Sequence, residues 1–173
     1  MQLSNYGLVL EALETKHLET VRTWRNSTLV NEFMEFKEEI SVEQQQKWFH
    51  SLDPKTSCYF IIKSATKPIG LIHLNNINLA TKQAEVGLFI GESAFIGTGI
   101  TFGASLLILD LAFDHFELET IIAKVNESNE NAIRYNAFLG FKKKNQLSID
   151  FSNWALNRED YQLQKPKLEN WLQ

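Results

Sequence analysis

The sequence is short of residues that build sites by themselves. It has one cysteine, Cys58, in 173 residues, so no internal disulfide can form, and no metal-ligand partners stand near it. Cys58 lies in the strand-like "CYFII", where a small half-buried residue is the expected role, and no metal site is expected. No repeat or low-complexity tract occurs, and with 3 prolines there is no proline-rich linker. The longest nearly apolar run, Ser105 to Phe113, is interrupted by Asp110 and is too short to span a bilayer. The opening "MQLSNYGLVL" lacks a basic segment leading into an apolar run. Positive charge is scarce too: 17 Lys and Arg against 21 Asp and Glu give a net charge of −4. That balance disfavours generic nucleic-acid binding. The expectation is a cytoplasmic protein with neither a membrane nor a nucleic-acid partner.

The content is that of an ordinary folded chain, 44% hydrophobic and 22% charged. Its length suits one domain with a full-sized core, taken as residues 1–173. "YGLVLEAL" alternates as a strand. Thr15 suits the cap of a helix carrying Leu18, Val21 and Trp24 on one face. "LVNEFMEF" reads as a second, short helix. "SVEQQQKWFHSL" is a third, with Ser41 and Gln44 as a capping box. Then come strands at "CYFIIK", "PIGLIHL" and "KQAEVGLFIG", a helix from about Ile100 to His115, and the β-branched strand "ETIIAKV". "SNENAIRYNAFLG" is a helix closed by Gly140. The tail offers "FKKKNQLSI" and "YQLQ" as two strands around a connecting "DFSNWALNRED", then a last helical turn with Trp171. This order predicts a mixed α/β (α+β) fold: a mostly antiparallel meander, then a crossover.

"FIGTGITFGAS" places Gly97, Gly99 and Gly103 at the start of an apolar helix, where glycine costs stability. Backbone N–H groups at a helix start, with the helix dipole behind them, favour an anion. A plain tightly packed loop is one explanation. A dinucleotide turn is another, since the glycines spell GxGxxxG. That turn should follow its strand at once, yet "GESAFI" intervenes after Ile90.

The segment from "AEVGLFIG" to "NENAIRYNAFLGF" resembles the core of the Gcn5-related N-acetyltransferases (GNAT), most closely their ribosomal-protein-alanine and amino-sugar branches. "VRTWRNSTLV" and "SVEQQQKWF" resemble the first helices of the amino-sugar branch, so the likeness covers nearly the whole chain. It implies a twisted, mostly antiparallel sheet of about seven strands with helices on both faces. It also implies acetyl-CoA as acyl donor and a small-molecule or peptide amine as acceptor, with a homodimer left open. The family's pyrophosphate loop, Gln/Arg-x-x-Gly-x-Gly/Ala, falls on Ile96, Gly97, Thr98, Gly99, Ile100 and Thr101. Ile96 and Thr101 depart from it, but binding there relies on backbone N–H groups, and the Thr101 hydroxyl is a further donor. By the same resemblance, two strands splay apart, backbone groups near Leu88, Phe89 and Ile90 hold the pantetheine and thioester, and Asn129 and Ala132 flank the pantetheine. Asn129 suits a helix cap equally. Where the family often has a tyrosine acid, four residues after Ala132, this chain has Asn136. Tyr135 is one helical step away, rotated by about 100°.

Acetyl transfer to an amine needs a neutral amine, donors for the oxyanion, and a stabilised leaving sulfur. Glu85, one alternation before Gly87 and Phe89, is the candidate base, acting directly or through a water. His73 is the second candidate, or an acceptor contact. Asn136 cannot be an acid but can order a water. Acceptor contacts are expected from Trp24, Arg25 and Asn26, with Arg25 suited to an anionic group such as a nucleotide phosphate. The spacing of Trp24 with Leu18 and Val21 suits the core equally. Glu32, Glu35, Glu38 and Glu39 suit either an acidic rim for a polyamine or a solvated face. A domain that binds acyl-CoA without turnover is the alternative in a different class.

Overall fold

The computed structural model describes residues 2–172. The first strand read from the sequence is β2 (Leu8–Ala12), the second arm of a hairpin whose first arm, β1 (Gln2–Asn5), precedes the segment read. Tyr6 and Gly7 both have positive φ, +54° and +74°, the geometry of the tight two-residue turn that matches strand twist. A 3-10 turn at Thr15–His17, capped by Glu14 rather than Thr15, leads into α1 (Leu18–Asn26). Leu18, Val21 and Trp24 form its buried stripe. The expected second helix is only α2 (Thr28–Asn31). Beyond it the chain runs as a strap to α3 (Val42–His50), whose capping box Ser41–Gln44 has both halves in place. Asn26 fixes the end of the strap, donating to Ile40 O at 3.0 Å and accepting from Ile40 N at 2.9 Å.

β3 (Cys58–Ser64), β4 (Lys67–Asn78) and β5 (Gln83–Ile90) form the antiparallel meander. α4 (Ile100–Asp110), prolonged by a π-helical turn at Leu111–His115, crosses over to β6 (Thr120–Asn126), which is parallel to β5. α5 (Glu130–Leu139) ends at Gly140, whose φ of +100° is the left-handed cap. β7 (Lys142–Gln146), β8 (Phe151–Asn157) and α6 (Arg158–Leu172) complete the described chain. The sheet has eight strands in the order β1-β2-β3-β4-β5-β6-β8-β7.

Two tail assignments are corrected. "FSNWALN" is a strand because Ser152, Trp154 and Leu156 alternate inward. "YQLQ", expected as a strand, lies in α6. Asn157 starts that helix by accepting from Asp160 N at 2.7 Å, and Tyr161 is buried with its Oη donating to Asp110 at 2.6 Å. Both sheet faces are covered. One core joins Phe60, Ile62, Ile72 and Leu74 to α4, α5 and α6, and a smaller one joins Val21, Trp24 and Val30 to Ile61 and Leu71. Among the described residues, no helix is long and apolar enough to cross a membrane.

Candidate active site

The β5–β6 ladder runs from Gln83–Thr120 to Val86–Ala123 and then stops. Beyond that point β5 pairs only with β4, and β6 only with β8. Among the described residues, the facing edges of Gly87–Ile90 and Lys124–Asn126 therefore have no strand partner. Unpaired edge groups are what an extended amide-bearing ligand needs. A cleft of about 1410 Å³ opens at this fork, lined by Leu88, Phe89 and Ile90 among others. One end leads to the N-terminus of α4, the other to a wall built from α1, α3, β3 and β4.

The three glycines at α4 do three different things. Gly97 has φ +74° and nothing within 4 Å of where a Cβ would sit, so its role is backbone conformation. Gly99 precedes the first turn, and a Cβ there would lie 3.0 Å from the ring of Trp171. Gly103 lets α4 approach the first hairpin, since a Cβ would meet Tyr6 at 2.9 Å and Leu8 at 3.0 Å. The N–H groups of Gly97, Gly99, Ile100 and Thr101 have no acceptor among the described residues. They form the donor cluster that suits a phosphate. The Thr101 hydroxyl, read as a further donor, is directed to Thr98 O at 3.2 Å.

At α5, Asn129 is the cap, accepting from Ala132 N at 2.9 Å, and both residues line the cleft. Asn136 also lines it, its amide donating to Ala132 O at 2.8 Å. The Tyr135 ring stacks on Phe102 at 4.6 Å, so it packs between helices rather than on the sheet. Its Oη donates to Thr101 O at 2.8 Å and sits 2.6 Å from Ser105 Oγ. Burial holds this phenol protonated far above its ordinary range. Tyr135→Phe is expected to cost about 1 kcal/mol of stability and to weaken coenzyme binding, by loosening the first turn of α4. The alkaline limb of the pH–rate profile should not move. A shifted limb, with affinity unchanged, would make Tyr135 the acid.

On the opposite wall, His73 stacks on Tyr59 at 4.6 Å and lies over Gly87, its register partner. Burial, assisted by the nearby Arg25 charge, pushes the imidazole down to about 4, so it is neutral near pH 7. Arg25 lines the cleft, and burial lowers its pKa. Two expected acceptor contacts are corrected. Trp24 is 6% exposed in the smaller core, with its indole N–H directed to Glu92 Oε1 at 3.3 Å. Asn26 is occupied by the strap. Glu85 does not line the cleft: its Oε1 accepts from Asn76 at 3.0 Å in an exposed setting. Direct proton removal is therefore not what this geometry presents. Glu85 does share a sheet face with Gly87, and its register partner is Asn75, which lines the cleft. Glu35 pairs with Lys124 at 2.7 Å, and Glu38 and Glu39 are exposed. Burial raises the Cys58 thiol to about 11, which keeps it inert.

The sequence reading missed Gln45, Tyr59, Asn75, Ser105 and Trp171 as cleft residues. Gln45 had a signal: a glutamine three residues before Trp48 and four before Phe49, on the apolar side of its helix. Residues 7–142 match the family model for the acetyltransferase (GNAT) domain. The chain belongs to the GNAT acetyltransferase family. The family's reaction moves the acetyl group of acetyl-CoA onto an amine, and the unpaired fork and the α4 N–H cluster fit that donor. This GNAT chain is 28% identical over 125 residues to Acetyltransferase PseH of Campylobacter jejuni, covering 70% of this chain and 74% of that one. It is 23% identical over 139 residues to an uncharacterized protein of Methanocaldococcus jannaschii, covering 79% of this chain but only 28% of that protein's length. Spermidine N-acetyltransferase from Vibrio cholerae, solved with CoA and spermine, superposes with a TM-score of 0.82 at 22% identity, covering 91% of this chain and 99% of that one. At that identity the likeness is one of fold.

Proposed function

We propose that this GNAT chain is a cytoplasmic N-acetyltransferase that moves an acetyl group from acetyl-CoA to a primary amine by direct attack on the thioester. The observation that carries the reading is the fork itself, an unpaired strand edge running from the free N–H groups at α4 to a separate polar wall. The pyrophosphate sits on Gly97–Thr101, the pantetheine along Leu88–Ile90 and beside Asn129 and Ala132. The edge N–H groups of β5 stabilise the oxyanion. Glu85 takes the ammonium proton through a water held beside Asn75. Asn136 supplies no proton, so the sulfur leaves as thiolate, which a thiol pKa of roughly 8.5 permits near neutrality.

A polyamine acceptor, as the name of the Vibrio spermidine N-acetyltransferase gives for that protein, finds less support here. The acceptor wall presents a partly buried guanidinium, and among the described cleft residues Glu32 is the one carboxylate, where a polycation needs several. Release of free thiol from acetyl-CoA across a panel of amines tests the reading, and binding without release for every amine would make the chain a coenzyme sensor. Within the catalytic reading, Glu85→Gln should lower kcat by about 10²-fold with coenzyme affinity unchanged. Wild-type kcat at all pH values would return Glu85 to a surface role.

A further inference from the structure

The acceptor wall concentrates unsatisfied polar atoms. Among the described residues, the buried side-chain atoms without a hydrogen-bond partner are Arg25 Nε, Gln45 Nε2, His73 Nδ1, Asn75 Oδ1 and Glu127 Oε1. The first four all line the cleft. The last belongs to a carboxylate already paired with Lys143 at 2.8 Å. Buried polar groups are seldom left unpaired, and a cluster of them on one cleft wall calls for a ligand that pairs them.

The chemistry of the four is specific. Arg25 makes no hydrogen bond or ion pair among the described residues, and its guanidinium stays charged despite the burial. The surrounding carboxylates do not answer it: Glu35 is held by Lys124, Glu85 by Asn76, and Glu32, which lines the same cleft from the strap, makes no ion pair with it. Gln45 is 5% exposed and adds a donor from α3. Asn75, whose side-chain amide lies beside the Tyr59 hydroxyl, leaves its Oδ1 as an acceptor from β4, two positions along from His73 and directly opposite Glu85. A charged fork and an amide donor lining one cleft match the oxygens of a carboxylate or phosphate. The acceptor oxygen, nearer the proposed base, matches an N–H or O–H donor.

We infer that the acceptor carries an anionic group besides its amine, bound by Arg25 with Gln45, while Asn75 receives a donor near the reacting nitrogen. This deepens the N-acetyltransferase reading and rests on it for the amine. A plain polyamine lacks the group that Arg25 requires.

The test is thiol release with matched amines: amino acids or peptides against their methyl esters, and amino-sugar phosphates against the dephosphorylated sugars. The charged member of at least one series should win by about 10- to 100-fold in kcat/KM, and the winning series tells carboxylate from phosphate. Arg25→Gln should erase that preference through KM, leave coenzyme affinity intact, and be partly rescued by Arg25→Lys. Equal turnover of charged and blocked members, or an equal loss for both in Arg25→Gln, would overturn the inference. A second readout does not depend on turnover. In the CoA-bound protein, the Arg25 Nε–H resonance should shift with inorganic phosphate or acetate and not with chloride at matched ionic strength. A resonance silent to both anions would overturn the anion site. Failure of every amine with a positive titration would instead remove the acetyltransferase reading and keep the site.

Discussion

Gly87→Ala is expected to lower kcat by about 10²-fold while the protein stays folded and binds coenzyme. Gly87 is the first β5 residue past the last β5–β6 pair, so it sits where the strands part. A Cβ there would lie 2.5 Å from His73 Cε1 and 2.9 Å from Nε2, closer than real contacts allow. The imidazole cannot simply back away, because Tyr59 is stacked against it. Either the ring leaves the acceptor wall or the β5 edge moves toward the thioester. Each displaces reacting groups by a fraction of an ångström to an ångström, which is costly where orientation supplies much of the rate. Single-turnover kinetics beside coenzyme calorimetry separates the two effects. Wild-type kcat in a folded Gly87→Ala protein would mean that neither His73 nor this part of β5 touches the reaction.

A large stability effect is expected from Gly91→Ala, directly after β5. A Cβ at Gly91 would fall 2.2–2.3 Å from Trp24 Cγ, Cδ1 and Cδ2, since the indole lies against this glycine's backbone. Trp24 is 6% exposed, packs edge-on to Phe89 at 6.3 Å and anchors the smaller core. Its displacement disturbs α1, and with α1 the placement of Arg25. Overpacking of this kind costs about 1–3 kcal/mol, and for a chain of this length each kcal/mol shifts Tm by about 2–4 °C. Urea denaturation should show a lower midpoint with an unchanged slope. An unchanged midpoint would show that Trp24 repacks freely, and that the α1–sheet contact is not rigid.

Features with a local cause could be read directly from the sequence. The Ser41–Gln44 capping box, the Gly140 helix end and the Asn129 cap each depend on residues within one turn, and each forms as expected. The hairpin at Tyr6–Gly7 was legible only as part of one strand, because tyrosine is not a usual residue for a turn of positive φ. "YQLQ" has strand-like alternation, and its helical state depends on Tyr161 reaching Asp110, a contact 51 residues away. The site divides in the same way. The α4 loop was found through its glycines, yet Gly103 and Gly99 answer to Tyr6, Leu8 and Trp171, which no local pattern places beside them. Trp24 and Arg25 are adjacent in sequence but differ by one helical step, which sends one into the core and the other to the cleft. The acceptor wall needed the β3–β4 register, which sets Tyr59 opposite His73, before its residues could be recognised together.

A crystal structure of the CoA complex tests the central claim most directly. The account predicts the pyrophosphate within hydrogen-bond distance of the N–H groups of Gly97, Gly99, Ile100 and Thr101. It also predicts pantetheine amides on the free edge of Gly87–Ile90, and the sulfur in the fork beyond Val86 and Ala123, facing His73 across Gly87. Coenzyme bound away from the α4 N-terminus, or pantetheine running outside the β5–β6 fork, would contradict it.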